Sequence, residues 1–321
     1  MSQSRILVGM PLLRRASVAI ILALLFGLLA LSSPTSAADG DPIKVVASSS
    51  ILADWVSNVT GDSADVTSIV PAGGDAHTFD PDPATVASIA DADIIFAIGS
   101  GFEPWLADMI EASGTEAAYV EVTRDMTLLG ADHEDEENHD EDEGDPHIWG
   151  DVSNAISSVE LIGTALAEVD PDNADTYRAN AEAYIEQLKE LDGAIREQVA
   201  TIPEANRKLV TSHDTFAYYA KAYGFDIIGT ALGSSSSESG DPSAKEITTL
   251  VEDIQEADVP AIFAENVVNP SLMQSIADEA GVELAPTLYT DALGEEGSDG
   301  SSYIGMMTYN TNTIVSALGD S

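Results

Sequence analysis

The stretch PDNADTYRANAEAYIEQLKELDGAIREQVATIP, residues 171–203, holds no strong helix breaker between its terminal prolines. Tyr177, Ala181, Tyr184, Leu188 and Leu191 recur at helical spacing and supply one packing face. Gly193 is a tolerable blemish in that pattern, at a cost of about 1 kcal/mol relative to alanine. An unbroken helix of about 30 residues would span about 45 Å. What flanks this rod decides the fold.

Before it, short β-rich runs alternate with helical ones. IKVVASSS (43–50), DVTSIVP (65–71), ADIIFAIG (92–99) and AAYVEV (117–122) read as strands, separated by helical stretches near 51–61, 83–90 and 104–113. A further helix is expected over 152–169, stopped by DPD. After the rod the alternation resumes with KLVTSHD (208–214), FDIIGTAL (225–232), AIFAEN (261–266) and VELAPTLY (282–289), and a last helix follows Ser301. Such β–α alternation predicts parallel sheets covered by helices. The reading is therefore an α/β protein of two lobes joined by one long helix. Residues 39–150 form the first lobe, 151–203 the helical region and 204–321 the second lobe.

The N-terminus belongs to neither lobe. Arg5, Arg14 and Arg15 precede the apolar run VAIILALLFGLLAL (18–31), and small residues suited to cleavage follow near Ala37 and Ala38. This order predicts a secretory signal over residues 1–38 and an exported, periplasmic or extracellular protein. An uncleaved segment would instead anchor the chain at the cell surface. The run is short for a transmembrane helix, which needs about 20 apolar residues. Arg14-Arg15 also permits a twin-arginine export reading.

Charge excludes several partners. The chain has 12 Lys+Arg against 56 Asp+Glu, net −44. Without the three arginines of the signal it carries nine basic residues and a net charge of −47. Such a surface repels nucleic acid and anionic lipid. It is compatible with attracting cations and with solubility at high salt. There is no cysteine, so disulfides, thiolate metal sites, cysteine nucleophiles and a lipid on an N-terminal cysteine are all excluded. Any metal must be held by His, Asp and Glu.

The five histidines divide into two groups. His133 and His139 lie in Ala131–Gly144, where nine acids and almost no apolar residues predict a solvated loop. His77 follows the second strand and its glycine turn, His147 sits in DPHIWGD, and His213 closes a strand. Ligands of open α/β sheets bind beyond the carboxyl ends of strands, so these positions point towards one cleft. A lone histidine is more often a satisfied core or surface residue; three at such junctions are harder to dismiss. An acid would complete the set. Glu265 and Asp291 each follow a strand, and Asp291 is favoured because its loop lets the side chain turn inward. Three imidazoles and a carboxylate suit Zn²⁺, with Mn²⁺ acceptable if the carboxylate binds through both oxygens.

HTFDPDP (77–83), DPHIWGD (145–151), SHDTFAYYAKAYGFD (212–226), ENVVNP (265–270) and LYTDALG (288–294) occur in this order. Together they resemble the blocks of the metal-specific substrate-binding proteins of zinc and manganese ABC transporters, over about Ile43 to Ala317. The resemblance implies two (β/α)₄-like lobes tied by a rigid helix, with metal at their interface. It further implies His77, His147, His213 and Asp291 as ligands; the family's third position is His or Glu, and here it is His213. Glu265 then supports the ligands from behind or is structural. The implied partners are a membrane permease and its cytoplasmic ATPase, and a monomer is expected. The acidic segment resembles the charged loop of zinc-type members, which makes His133 and His139 a candidate auxiliary metal site against the plainer reading of a solvated loop.

Two other readings compete. A zinc hydrolase needs an open coordination position and a general base, a role open to Glu265 or Asp214, but no H-E-x-x-H motif is present. Ser212, His213 and Asp214 are adjacent and cannot form a nucleophile–base relay. A surface adhesin could use the same fold, and nothing in the sequence specifically supports it. No catalytic residue is assigned.

Overall fold

A computed structural model describes residues 41–131, 144–232 and 242–319. The expected signal, His133 and His139 lie outside them. Among the described residues no helix is long and apolar enough to cross a membrane.

The first lobe is a parallel four-stranded sheet in the order β2-β1-β3-β4, built from β1 (Ile43–Ala47), β2 (Ala64–Ser68), β3 (Ile94–Ala97) and β4 (Ala118–Glu121). Helices α1 (Ser50–Thr60), α2 (Pro83–Ala90) and α3 (Leu106–Ser113) connect the strands. β1 ends before the expected Ser50 because Ser49 caps α1, its hydroxyl accepting the Leu52 N–H. Asp82 caps α2 in the same way through Ala84 and Thr85, with Pro83 at the first helical position.

Two helices follow: α4 (Val152–Val169), capped by Asp151, and α5 (Ala174–Val199). α5 has 26 residues, about 39 Å, and passes unbroken through Gly193. It starts later than the expected stretch, which opens at Pro171, because Pro171–Asn173 closes as a 3-10 turn. Tyr177, Ala181, Tyr184, Leu188 and Leu191 are all buried, as their spacing predicts. α4 and α5 cross closely at Gly163, where a Cβ would stand 3.0 Å from that of Ala181.

The second lobe pairs β5 (Lys208–Thr211) with β6 (Asp226–Thr230), and β7 (Ala261–Glu265) with β8 (Glu283–Leu288), both parallel. β5 lies beside β7, and a register irregularity interrupts each ladder. Helices α6 (Ala217–Tyr223), α7 (Ala244–Glu256), α8 (Ser271–Ala280) and α9 (Tyr303–Gly319) complete it. The fold is thus two parallel-sheet α/β lobes connected through the long helical region.

The lobes share one core that runs from Val45 to Leu318 through α1, α4, α5 and α9. A second apolar cluster packs α7 and α8 on the second lobe's strands. Polar ties stitch the seam. Leu293 N–H donates to Ser50 Oγ at 3.0 Å, and Tyr303 Oη donates to Trp149 O at 2.7 Å. Asp54 Oδ2 accepts from the Tyr303 N–H at 3.2 Å and from Tyr184 Oη at 3.1 Å. A wide hinge between lobes would have to break these together.

Candidate metal centre

His77 and His147 are presented by the same local device. Gly-Asp-x-His occurs at 74–77 and again at 144–147. Asp75 Oδ1 accepts the His77 N–H at 2.8 Å, and Asp145 Oδ1 accepts the His147 N–H at 2.9 Å. An aspartate that bonds the backbone two residues on makes a rigid turn. Asp145 Oδ1 also lies 2.7 Å from His147 Nδ1, which directs Nε2 away from it. The Asp145 backbone is fixed in turn: Tyr218 Oη donates to its carbonyl at 2.8 Å, and its N–H donates to Leu129 O at 2.7 Å.

His213 and Asp291 arrive from the other lobe. His213 stands just past β5 and Asp291 just past β8. Asp291 Oδ2 is 3.0 Å from His213 Nε2, and Oδ1 is 3.8 Å from His147 Nε2. Thr215 Oγ1 donates to Oδ1 at 3.2 Å. His77 Nε2 and His147 Nε2 are 3.3 Å apart. One ligand atom each from His77, His147 and Asp291 falls within 4.8 Å of the others. His213 joins through Asp291, with its ring centroid 5.6 Å from that of His147. His147, His213 and Asp291 are buried and His77 is half-buried, so the cluster lies at the seam between the lobes.

Its electrostatics favour a cation. Burial lowers the pKa of His77, so its ring is neutral and its nitrogen free to donate. Burial also opposes charge on His213, but Asp291 and Glu265 outweigh it and push the ring up to about 11. Burial would raise Asp291, yet His213 first, then His147 and His77, hold it well below the usual carboxylate range. Three imidazoles and one ionised carboxylate face one another without a lysine or arginine among them, and the proton on His213 holds the place that a metal ion at Nε2 would take. That set calls for a metal ion.

The sequence over residues 45–317 matches the model of the family described as zinc-uptake complex component A, periplasmic. The chain belongs to this family. The manganese-binding lipoprotein MntA of Halalkalibacterium halodurans is 40% identical over 280 residues, 87% of this chain and 90% of that protein. The metal ABC transporter substrate-binding lipoprotein FimA of Streptococcus parasanguinis is 33% identical over 307 residues, 94% of this chain and 97% of that one. Among solved structures, the periplasmic zinc binding protein TroA from Treponema pallidum superposes with a TM-score of 0.78 at 28% identity, covering 87% of this chain and 99% of that one. The protein is a transport carrier and not an enzyme. It works outside the cytoplasm, captures a divalent metal, and delivers it to an ABC permease driven by a cytoplasmic ATPase.

Three residues around the cluster escaped the sequence reading. Asp145 orients His147, and the repeated Gly-Asp-x-His was the signal that could have found it. Phe102 and Trp149 pack their rings edge-on to the imidazoles, Phe102 at 4.9 Å from His77 and Trp149 at 5.3 Å from His147. Nothing local marks those two as different from ordinary core aromatics.

Proposed function

We propose that His77, His147, His213 and Asp291 are the four ligands of the transported ion, and that this ion is zinc. The His77–His147 separation of 3.3 Å carries the reading. It equals the edge of a tetrahedron whose metal–nitrogen bonds are about 2.0–2.1 Å, an edge of about 3.3–3.4 Å. Three imidazoles and one carboxylate are a donor set suited to tetrahedral Zn²⁺. Glu265 and Asp145 back two of the rings from their Nδ1 side, as outer hydrogen-bond partners of metal-binding histidines do. In the same reading residues 1–38 are the export signal, 39–150 and 204–321 the two metal-binding lobes, and 151–203 the link. The ion joins both lobes, because two ligands precede the long helix and two follow it.

Manganese is the second reading. The 40% identical relative is named manganese-binding, and both oxygens of Asp291 turn towards histidines, which suits a carboxylate binding through two oxygens. The test is metal analysis of protein purified without chelator or added metal, followed by competition of Zn²⁺ against Mn²⁺. Zinc should be retained and should displace manganese. Displacement of zinc by equimolar manganese would overturn the zinc reading, because intrinsic affinity order runs the other way.

A further inference from the structure

Between the ends of β1 and β3 the sheet order reverses direction, and open α/β sheets bind ligands at such a point. Here the chain's own Glu103 fills it. Ile98 N–H donates to Glu103 Oε1 at 2.8 Å and Gly99 N–H to Oε2 at 3.1 Å. The Ser48 hydroxyl, just past β1, also donates to Oε1. Both side chains are buried.

The loop closed by this carboxylate is unusual. Gly99, Ser100 and Gly101 all have positive φ, at 87°, 52° and 73°. Ser100 is not glycine, so its conformation persists only while its surroundings hold it. Phe102 comes next, fully buried. Its ring stands edge-on at 4.9 Å from His77, 6.1 Å from His147 and 4.9 Å from Trp149. Two residues beyond Glu103, Trp105 Nε1 donates to Ala76 O at 2.8 Å, fixing the residue before His77. One short segment therefore walls both histidines supplied by the first lobe.

We propose that Glu103 is a positioning residue for metal capture, holding Phe102 against the rings of His77 and His147 through the strained loop at 99–101. The inference rests on the reading of those histidines as ligands. A carboxylate that only seals the fold would lower stability when replaced and leave the site's affinity alone. One that acts through Phe102 is coupled to it energetically.

The experiment is a Zn²⁺ competition titration on the full chain, comparing wild type, Glu103→Gln, Phe102→Leu, the double variant and His77→Ala, with melting of each metal-free protein alongside. Glu103→Gln should bind Zn²⁺ about tenfold more weakly, the scale expected for an outer partner. The double variant should bind no more weakly than the worse single one. Co²⁺-loaded Glu103→Gln should also show altered d–d bands, reporting a turned imidazole. Wild-type affinity in Glu103→Gln with a lowered melting temperature would overturn the proposal, and so would losses that multiply in the double variant. If Glu103→Gln does not fold, Ser48→Ala replaces it in the cycle: a smaller loss that does not multiply with Phe102→Leu supports the proposal, and unchanged affinity overturns it. A loss in His77→Ala with none in Glu103→Gln overturns this inference alone. No loss in His77→Ala overturns the ligand assignment beneath it.

Discussion

Glu265 grips His213 twice: Oε1 accepts the His213 backbone N–H at 3.0 Å, while Oε2 meets Nδ1 of the same ring. Both residues are buried, and they lie at the ends of the adjacent strands β7 and β5. The double contact leaves Nε2 facing Asp291. Glu265→Gln preserves shape but puts an amide in place of one of two acceptors. Zinc affinity should fall about 10–100-fold, and His213→Ala should lose more. Unchanged affinity in Glu265→Gln by competition titration would show that packing alone orients the ring.

With His213 as a ligand, as proposed, its proton should make capture pH-dependent. Asp291 and Glu265 keep the ring protonated across neutral pH when no ion is bound, whereas His77 is already neutral. An ion binding Nε2 must displace that proton. Between about pH 6 and 9 zinc affinity should rise about tenfold per pH unit, with one proton released. Calorimetry in buffers of different ionisation enthalpy counts the proton. A flat pH profile would mean that His213 is not a ligand.

Glu103 should leave its mark on stability. Burial pushes its carboxyl up to about 7 against the donors Ser48, Ile98 and Gly99. A carboxyl raised above its unfolded value, 4.5, favours the fold fully below that value. Its contribution is lost as pH rises through 7, on the order of 3 kcal/mol. The melting temperature of wild type relative to Glu103→Gln should therefore decline from pH 4.5 to 7.5. A constant difference across that range would contradict the buried-acid account.

Surface charge should make the fold salt-dependent. Basic partners are few, and pairs such as Lys44–Asp91, Arg178–Asp175 and Lys189–Glu186 are exposed and worth little. Repulsion among the remaining acids is screened once the Debye length drops to a few ångströms, about 3 Å at 1 M. Melting should rise by several degrees between 0.1 and 2 M KCl. An unchanged melting point would show the acids to be too widely spaced to matter.

Deleting residues 132–143 should spare the high-affinity site. Both flanks are secured by groups outside that stretch: the Asp145 N–H on Leu129 O, and Tyr218 Oη, which donates to Asp145 O and accepts the Leu129 N–H at 3.0 Å. Zinc titration of the deletion variant tests this. A large loss of tight binding would make the segment part of the site, and loss of only weak extra binding would assign that binding to His133 and His139.

Local patterns in the sequence were enough for the elements and their order. The DPD break marked the end of α4 at 169, and the Tyr177–Leu191 spacing marked the buried face of α5, because helix stops and helical periodicity act within a few residues. Motif order was enough for the family. Tertiary structure decided how the site is held. Glu265 meets His213 from 52 residues away and Asp291 meets it from 78, while Ser48 reaches Glu103 across 55. Such contacts depend on which strand ends the sheets bring together, and no local period records that. Glu103 in particular reads as one more acid among 56. Only the packed ends of β1 and β3 turn it into a buried group with three donors.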